Sequence, residues 1–193
     1  MVLYFAYGAN TDPAVLRRRS VNPSEARPAS TPKNLYHICF RHRAGYATVL
    51  PGAGTLHDNF TFPGVVHGVL YDITGDELHL LKRAEEGYTA TQITVVPYDN
   101  AVTTIIATAF QSHSWNLLPS PVKPTLQYRN KLLAGAIHYK LHPDYIRWLE
   151  SLDVERPSGY GLPRHYYDTP FIRASTYAVV VIVASVLCAV LFT

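Results

Sequence analysis

Short apolar bursts, separated by polar and Gly/Pro-rich stretches, set the rhythm of this chain. "VLYFAY" is dense in strand-forming residues and stops at Tyr7, Gly8, Ala9 and Asn10, which predicts a first strand ending in a glycine-centred turn. That turn has two readings. One is a tight turn at Gly and Asn, residues that tolerate left-handed backbone angles; the other is a cradle of main-chain N–H groups for an anion. "TDPAVLRRR" reads as a short helix with Thr11 or Asp12 as its cap and Pro13 in its first turn. Residues 20–34, rich in Ser, Pro and Asn, read as a connection. "NLYHICF" and "GYATVL" read as strands separated by polar "RHRA", with a Gly/Pro/Asp loop at 51–64 and a long β-rich run, "VVHGVLYDI", behind it.

The period changes at Thr74, Gly75, Asp76 and Glu77, which open a helix, "DELHLLKRAEE", with Leu78, Leu80 and Leu81 as its packed face and Gly87 as its stop. "TATQITVVPYD" and "AVTTIIATAF" alternate on either side of Asp99 and Asn100 and predict a hairpin. "QYRNKLLAGAIHYKL" and "HPDYIRWLESL" predict two helices joined near His142, with Pro143 in the first turn of the second. Strands in a run with helices inserted predict an α+β fold with a small mixed, barrel-like sheet and short helices.

The last segment breaks this rhythm. Residues 174–193, "ASTYAVVVIVASVLCAVLFT", carry no charge and no polar face. Their length matches the roughly 20 residues that span a bilayer. The expected organisation is therefore a globular domain over 1–155, a Pro/Gly/Tyr linker over 156–173 and a C-terminal transmembrane helix over 174–193. Arg164, His165 and Arg173 precede that helix against Asp168 alone, so the positive-inside rule puts the domain in the cytosol. Asn59, Phe60 and Thr61 form a glycosylation sequon that a cytosolic domain leaves unmodified.

Composition removes several function classes. The 193 residues carry 17 Lys and Arg against 14 Asp and Glu, a net charge of +3, with no basic stripe or nucleic-acid-binding motif. The one basic cluster, Arg17, Arg18 and Arg19, reads as a solvated face at a helix end, with an anion contact as the lesser reading. Two cysteines, Cys39 in a strand and Cys188 in the apolar tail, make no disulfide framework. His37, His67 and His138 stand apart from any metal-ligand spacing, so no metal site is expected. Glu85 and Glu86 end the acidic helix, where a carboxylate opposes the macrodipole. They read either as frayed surface residues or as the place where a withdrawn carboxylate serves as general acid or base.

With these residues in place, the chain resembles the γ-glutamylcyclotransferases, and most closely their fungal members. "YFAYGAN" resembles the family's Tyr-Phe-Ala-Tyr-Gly-Ser-Asn signature. "VHGVLYDI" with "DELHLLKRAE" resembles its Gly-Val-Leu-Tyr segment and acidic helix. "PSP", Tyr128, "LLAGA" and "LHPDYIRWLESL" follow in family order, so the resemblance covers roughly residues 2–152. It implies a barrel-like α+β fold and release of 5-oxoproline from a γ-glutamyl compound without metal or organic cofactor. It also implies Glu85 as catalytic acid/base, with Glu86 where the family more often has Gly. Tyr4, Phe5, Ala6, Tyr7, Gly8, Ala9, Asn10 and Tyr128 are its implied substrate contacts, the turn acting through main-chain N–H groups. Ala9 replaces the family's serine, and "VKPTL" intrudes before Tyr128. The fungal likeness further implies glutathione, a γ-glutamyl amino acid or a glutathione adduct as substrate, in sulfur-containing secondary metabolism including toxin biosynthesis. The implied partners are that small molecule and a membrane, with no nucleic acid. A tail-anchored adaptor lacking catalysis is the competing reading, supported by Ala9 and by an exposed Glu85 were there one.

Overall fold

A computed structural model describes residues 1–54 and 59–155 of the chain. The expected linker, the apolar tail and Cys188 lie outside the described residues. Among the described residues, no helix is long and apolar enough to cross a membrane.

Five strands close a barrel. β1 (Val2–Ala6) pairs antiparallel with β6 (His67–Ile73), which pairs on its other edge with β2 (Glu25–Ser30). β2 then meets β7 (Tyr88–Pro97), β7 forms a long antiparallel hairpin with β8 (Ile105–Ser112), and β8 returns parallel to β1 through Tyr4 and Thr108. Every residue of β6 is buried, as a strand with a partner on each edge and packing on both faces requires. A second sheet, β4 (Tyr46–Pro51), β3 (Tyr36–His42) and β5 (Thr61–Phe62), docks on β8. The Gln111 side-chain amide donates to the Val49 carbonyl at 3.1 Å, and the Ser112 N–H donates to Thr48 Oγ1 at 3.1 Å.

Among the described residues four α-helices accompany the sheets. α1 (Pro13–Arg18) starts at Asp12, whose side chain accepts from the Ala14 N–H at 2.8 Å. α2 (Gly75–Ala84) starts in a reciprocal capping box between Thr74 and Glu77. α3 (Leu126–His138) is capped by Thr125, and α4 (Pro143–Ser151) by His142. The α+β class and the closed, barrel-like sheet of the expectation are both present.

Five local expectations need correction. Residues 20–34 are not wholly a connection, because residues 25–30 form β2. "EARPAS" has a proline and no apolar alternation, and it becomes a strand by backbone pairing with β6 along its whole length. Arg41 and His42 are not a separator, since they continue β3 beyond a register shift. Thr61 and Phe62, placed in a loop, form β5 against Ile38 and Cys39. Residues 101–104 belong to the hairpin loop, and pairing resumes at Val95 and Ile105. Finally, Leu80 is exposed while Leu81 is fully buried, so the packed face of α2 is narrower than three leucines.

Candidate active site

β1 ends at Ala6, and the chain runs through Tyr7 and Gly8 into a single 3-10 turn at Ala9–Thr11. A turn of that kind leaves its leading main-chain N–H groups without intrahelical acceptors. Its far side is pinned by α3. A Cβ at Gly135 would lie 2.4 Å from Thr11 Oγ1 and 2.5 Å from the Thr11 carbonyl carbon, so only glycine lets the helix approach this closely.

The turn opens onto a cavity of about 460 Å³. Tyr4, Tyr7, Gly8, Ala9, Asn10, Glu85 and Tyr128 all line it, which brings together residues from three distant parts of the sequence. Phe5 and Ala6 do not line it. Both are buried in the core, and alternation along β1 turns Phe5 to the face opposite Tyr4.

Glu85 is the C-cap residue of α2. Asn10 Nδ2 donates to its Oε1 at 2.8 Å, and Arg19 Nη1 forms an ion pair with the same oxygen. Oε2 has no protein partner among the described residues. The Asn10 amide is fully used, since Nδ2 also donates to the Tyr4 hydroxyl at 2.7 Å and Oδ1 accepts from Arg19 at 2.9 Å. Glu86 behaves differently. Its side chain is 87% exposed and pairs with Arg43 at 3.0 Å, whereas that of Glu85 is 18% exposed.

Opposite the carboxylate stands an aromatic wall. The Tyr128 hydroxyl accepts from the Ala47 N–H at 3.1 Å, and Tyr88 donates to the Ala47 carbonyl at 2.8 Å. Tyr7 donates to the Phe110 carbonyl. His42 stacks on Tyr88 with ring centroids 4.1 Å apart, and its Nδ1 meets Ser112 Oγ at 2.8 Å.

Burial, reinforced by neighbouring Glu85 or tyrosines, pushes the hydroxyls of Tyr4, Tyr7, Tyr88 and Tyr128 above the ordinary phenol range. They stay protonated near neutral pH and serve as hydrogen-bonding groups. Burial, then the Arg43 charge, lowers His42 to about 3, so its imidazole is neutral near neutral pH. Glu85 is the more enclosed of the two carboxylates that line the cavity. No group of three or more metal-ligating side chains occurs among the described residues.

The cavity also holds residues that the sequence did not single out for this site: Arg19, His42, Arg43, Tyr46, Tyr88 and Lys131. Arg19 corrects the reading of its triplet as a solvated face. Arg17 and Arg18 are exposed, but Arg19 turns inward at the end of α1 to Asn10 and Glu85.

The AIG2-like family model matches residues 65–149, the stretch that carries β6, Glu85, the hairpin and Tyr128. Over that stretch the chain is similar to the AIG2-like family. Solved structures extend the likeness over the whole domain. A protein described as gamma-glutamyl cyclotransferase is 19% identical, with 90% of this chain and 98% of that one covered at a TM-score of 0.64. An uncharacterized protein from Homo sapiens is 21% identical over 86% of this chain and 96% of that one, with a TM-score of 0.63. YkqA from Bacillus subtilis is 20% identical over 80% of this chain and 56% of that one, with a TM-score of 0.62. At such identities what is shared is the fold, and it is the γ-glutamylcyclotransferase fold. No curated protein matches the chain. The AIG2-like segment supplies the candidate carboxylate, and the turn after β1, outside the matched residues, supplies Asn10 to hold it.

Proposed function

We propose that the protein is a γ-glutamylcyclotransferase that releases 5-oxoproline and a free amine or amino acid from a γ-glutamyl compound. One observation carries the reading. Glu85 sits in the AIG2-like segment at a cavity, with Oε1 held by Asn10 and Arg19 and Oε2 without a partner among the described residues. An exposed Glu85 would have favoured the adaptor, and this side chain is largely enclosed.

The chemistry follows from the substrate's own geometry. The α-amino nitrogen of a γ-glutamyl group attacks its γ-carbonyl carbon, closing a five-membered ring with a prepositioned nucleophile. Oε2 of Glu85 takes a proton from the attacking nitrogen. As the tetrahedral intermediate collapses, the C–N bond to the leaving group breaks and Glu85 returns the proton to the departing nitrogen. Main-chain N–H groups of the turn at Gly8, Ala9 and Asn10 face the developing oxyanion. Water takes no part. The substrate is glutathione, a γ-glutamyl amino acid or a glutathione-derived adduct, and a place in secondary metabolism rests on the fungal resemblance alone.

The test is the product formed in ¹⁸O-labelled water. Cyclisation yields 5-oxoproline and free amine in equal amounts with no label in either, whereas labelled glutamate would mean hydrolysis and defeat the reading.

Residues 174–193 are proposed, from their uncharged sequence, as a membrane anchor with the domain on the cytosolic side. Synthesis with microsomes should leave Asn59, which is exposed, without a glycan. A glycan there would reverse the orientation.

A further inference from the structure

We propose that Lys131 recognises a carboxylate of the substrate, so that the site selects acidic γ-glutamyl compounds; this rests on the cyclotransferase reading. Five charged side chains line the cavity: Arg19, Arg43, Lys131, Glu85 and Glu86. Four of them cancel in pairs, Arg19 with Glu85 and Arg43 with Glu86. Lys131 is in no ion pair among the described residues, although it is half-buried. It leaves one uncompensated positive charge on the cavity wall. An ammonium partly withdrawn from water gains most from an anion that brings its own charge into the same enclosure.

Its place on α3 fixes what it can meet. Lys131 stands one helical turn beyond Tyr128 and one turn before Gly135. Tyr128 puts its hydroxyl 3.2 Å from where a Cβ of Gly8 would be, and Gly135 packs against Thr11. Lys131 therefore lines the cavity from the stretch of α3 between Tyr128, which also lines it, and Gly135, which packs on the turn.

A ligand that presents its γ-carbonyl to that turn has one carboxylate on the glutamyl α-carbon. If its leaving group is an amino acid or peptide, it has a second. Either gives Lys131 the same chemistry, and a flexible ammonium accepts a carboxylate without the fixed fork an arginine demands.

The experiment uses the full chain, wild type and as Lys131→Met and Lys131→Arg. Three substrates are compared: γ-glutamylglycine, its α-carboxamide, and γ-glutamylglycinamide. On γ-glutamylglycine, Lys131→Met should raise KM about ten- to hundred-fold with kcat nearly unchanged, and Lys131→Arg should recover most of the loss.

The penalty should vanish on the one amide that lacks the recognised group. Loss on the α-carboxamide assigns the glutamyl carboxylate, and loss on the glycinamide assigns the leaving group's. An equal penalty on all three substrates, or none on any, overturns the proposal while leaving the cyclotransferase reading intact.

If wild type turns over none of them, nor glutathione and its adducts, that reading fails, and titration of the same three compounds as ligands then decides. Weaker binding of one amide than of γ-glutamylglycine, a difference that Lys131→Met abolishes, upholds the role of Lys131. Equal or absent binding of the three rejects it.

Discussion

Asn10 is the residue on which the candidate site turns. Its amide joins the Tyr4 hydroxyl, Arg19 and Glu85 Oε1 while itself 4% exposed, so each of its polar atoms is matched by a neighbour that would otherwise be stranded. Asn10→Ala should therefore destabilise the fold by about 1–3 kcal/mol, the cost of leaving buried polar partners unmatched. A lowered denaturant midpoint with an unchanged slope would show it. The family resemblance singled out Asn10, Tyr7 and Glu85 in the sequence, whereas position at the end of the acidic helix left Glu85 and Glu86 alike. Between Glu85 and Glu86 only the structure separates the environments, because adjacent residues on a terminating helix point apart. Arg19 was not legible for a related reason: Arg17 and Arg18 are identical in type and face solvent. The partner of Arg19 lies 66 residues away in sequence.

At the scale of elements, helix α3 holds the turn after β1 through Gly135. Gly135→Ala would force a methyl group against both backbone and side chain of Thr11. Overpacking of this sort costs typically about 1–3 kcal/mol. The variant should melt at a lower temperature, and its turnover should fall as well, because the displaced turn carries Asn10. A stable but inactive Gly135→Ala would separate these two effects; unchanged stability and turnover would contradict the packing argument. Elements with a strong period were readable from sequence. The β7–β8 hairpin alternates, and β6 is a run dense in strand-forming residues. β2 was not readable, since its strand character comes from the edges of β6 and β7 rather than from its own side chains. The α2 face was over-read because three leucines in a ten-residue helix do not all point inward.

For the whole molecule, pH links stability to two buried histidines. Burial, then Arg43, holds His42 near a pKa of about 3. Burial, then the His142 charge, with Asp144 opposing, holds His67 at about 4. Each is neutral when folded and titrates near 6.5 when unfolded, so below that pH the unfolded chain binds protons that the folded one refuses. Their contribution is complete above about pH 6.5 and is lost as pH falls toward 4 and then 3, with a slope of at most about 1.4 kcal/mol per pH unit for each histidine. Denaturation midpoints at pH 7, 5.5 and 4.5 should fall in that order. A midpoint flat across this range would contradict the buried, neutral assignment. The barrel's closure was expected from the family resemblance, but the parallel seam between β1 and β8 had no local sequence signature. It joins strands about a hundred residues apart.

The most direct measurement on the central claim is 5-oxoproline formation by wild type, Glu85→Gln and Glu86→Gln, assayed side by side with γ-glutamyl amino acids and glutathione. Gln keeps an acceptor for Asn10 at position 85, so the fold should persist while the proton carrier is lost. Wild type and Glu86→Gln should form product at comparable rates, and Glu85→Gln should be slower by about 10²–10⁴-fold. Product from Glu85→Gln at the wild-type rate would contradict the account.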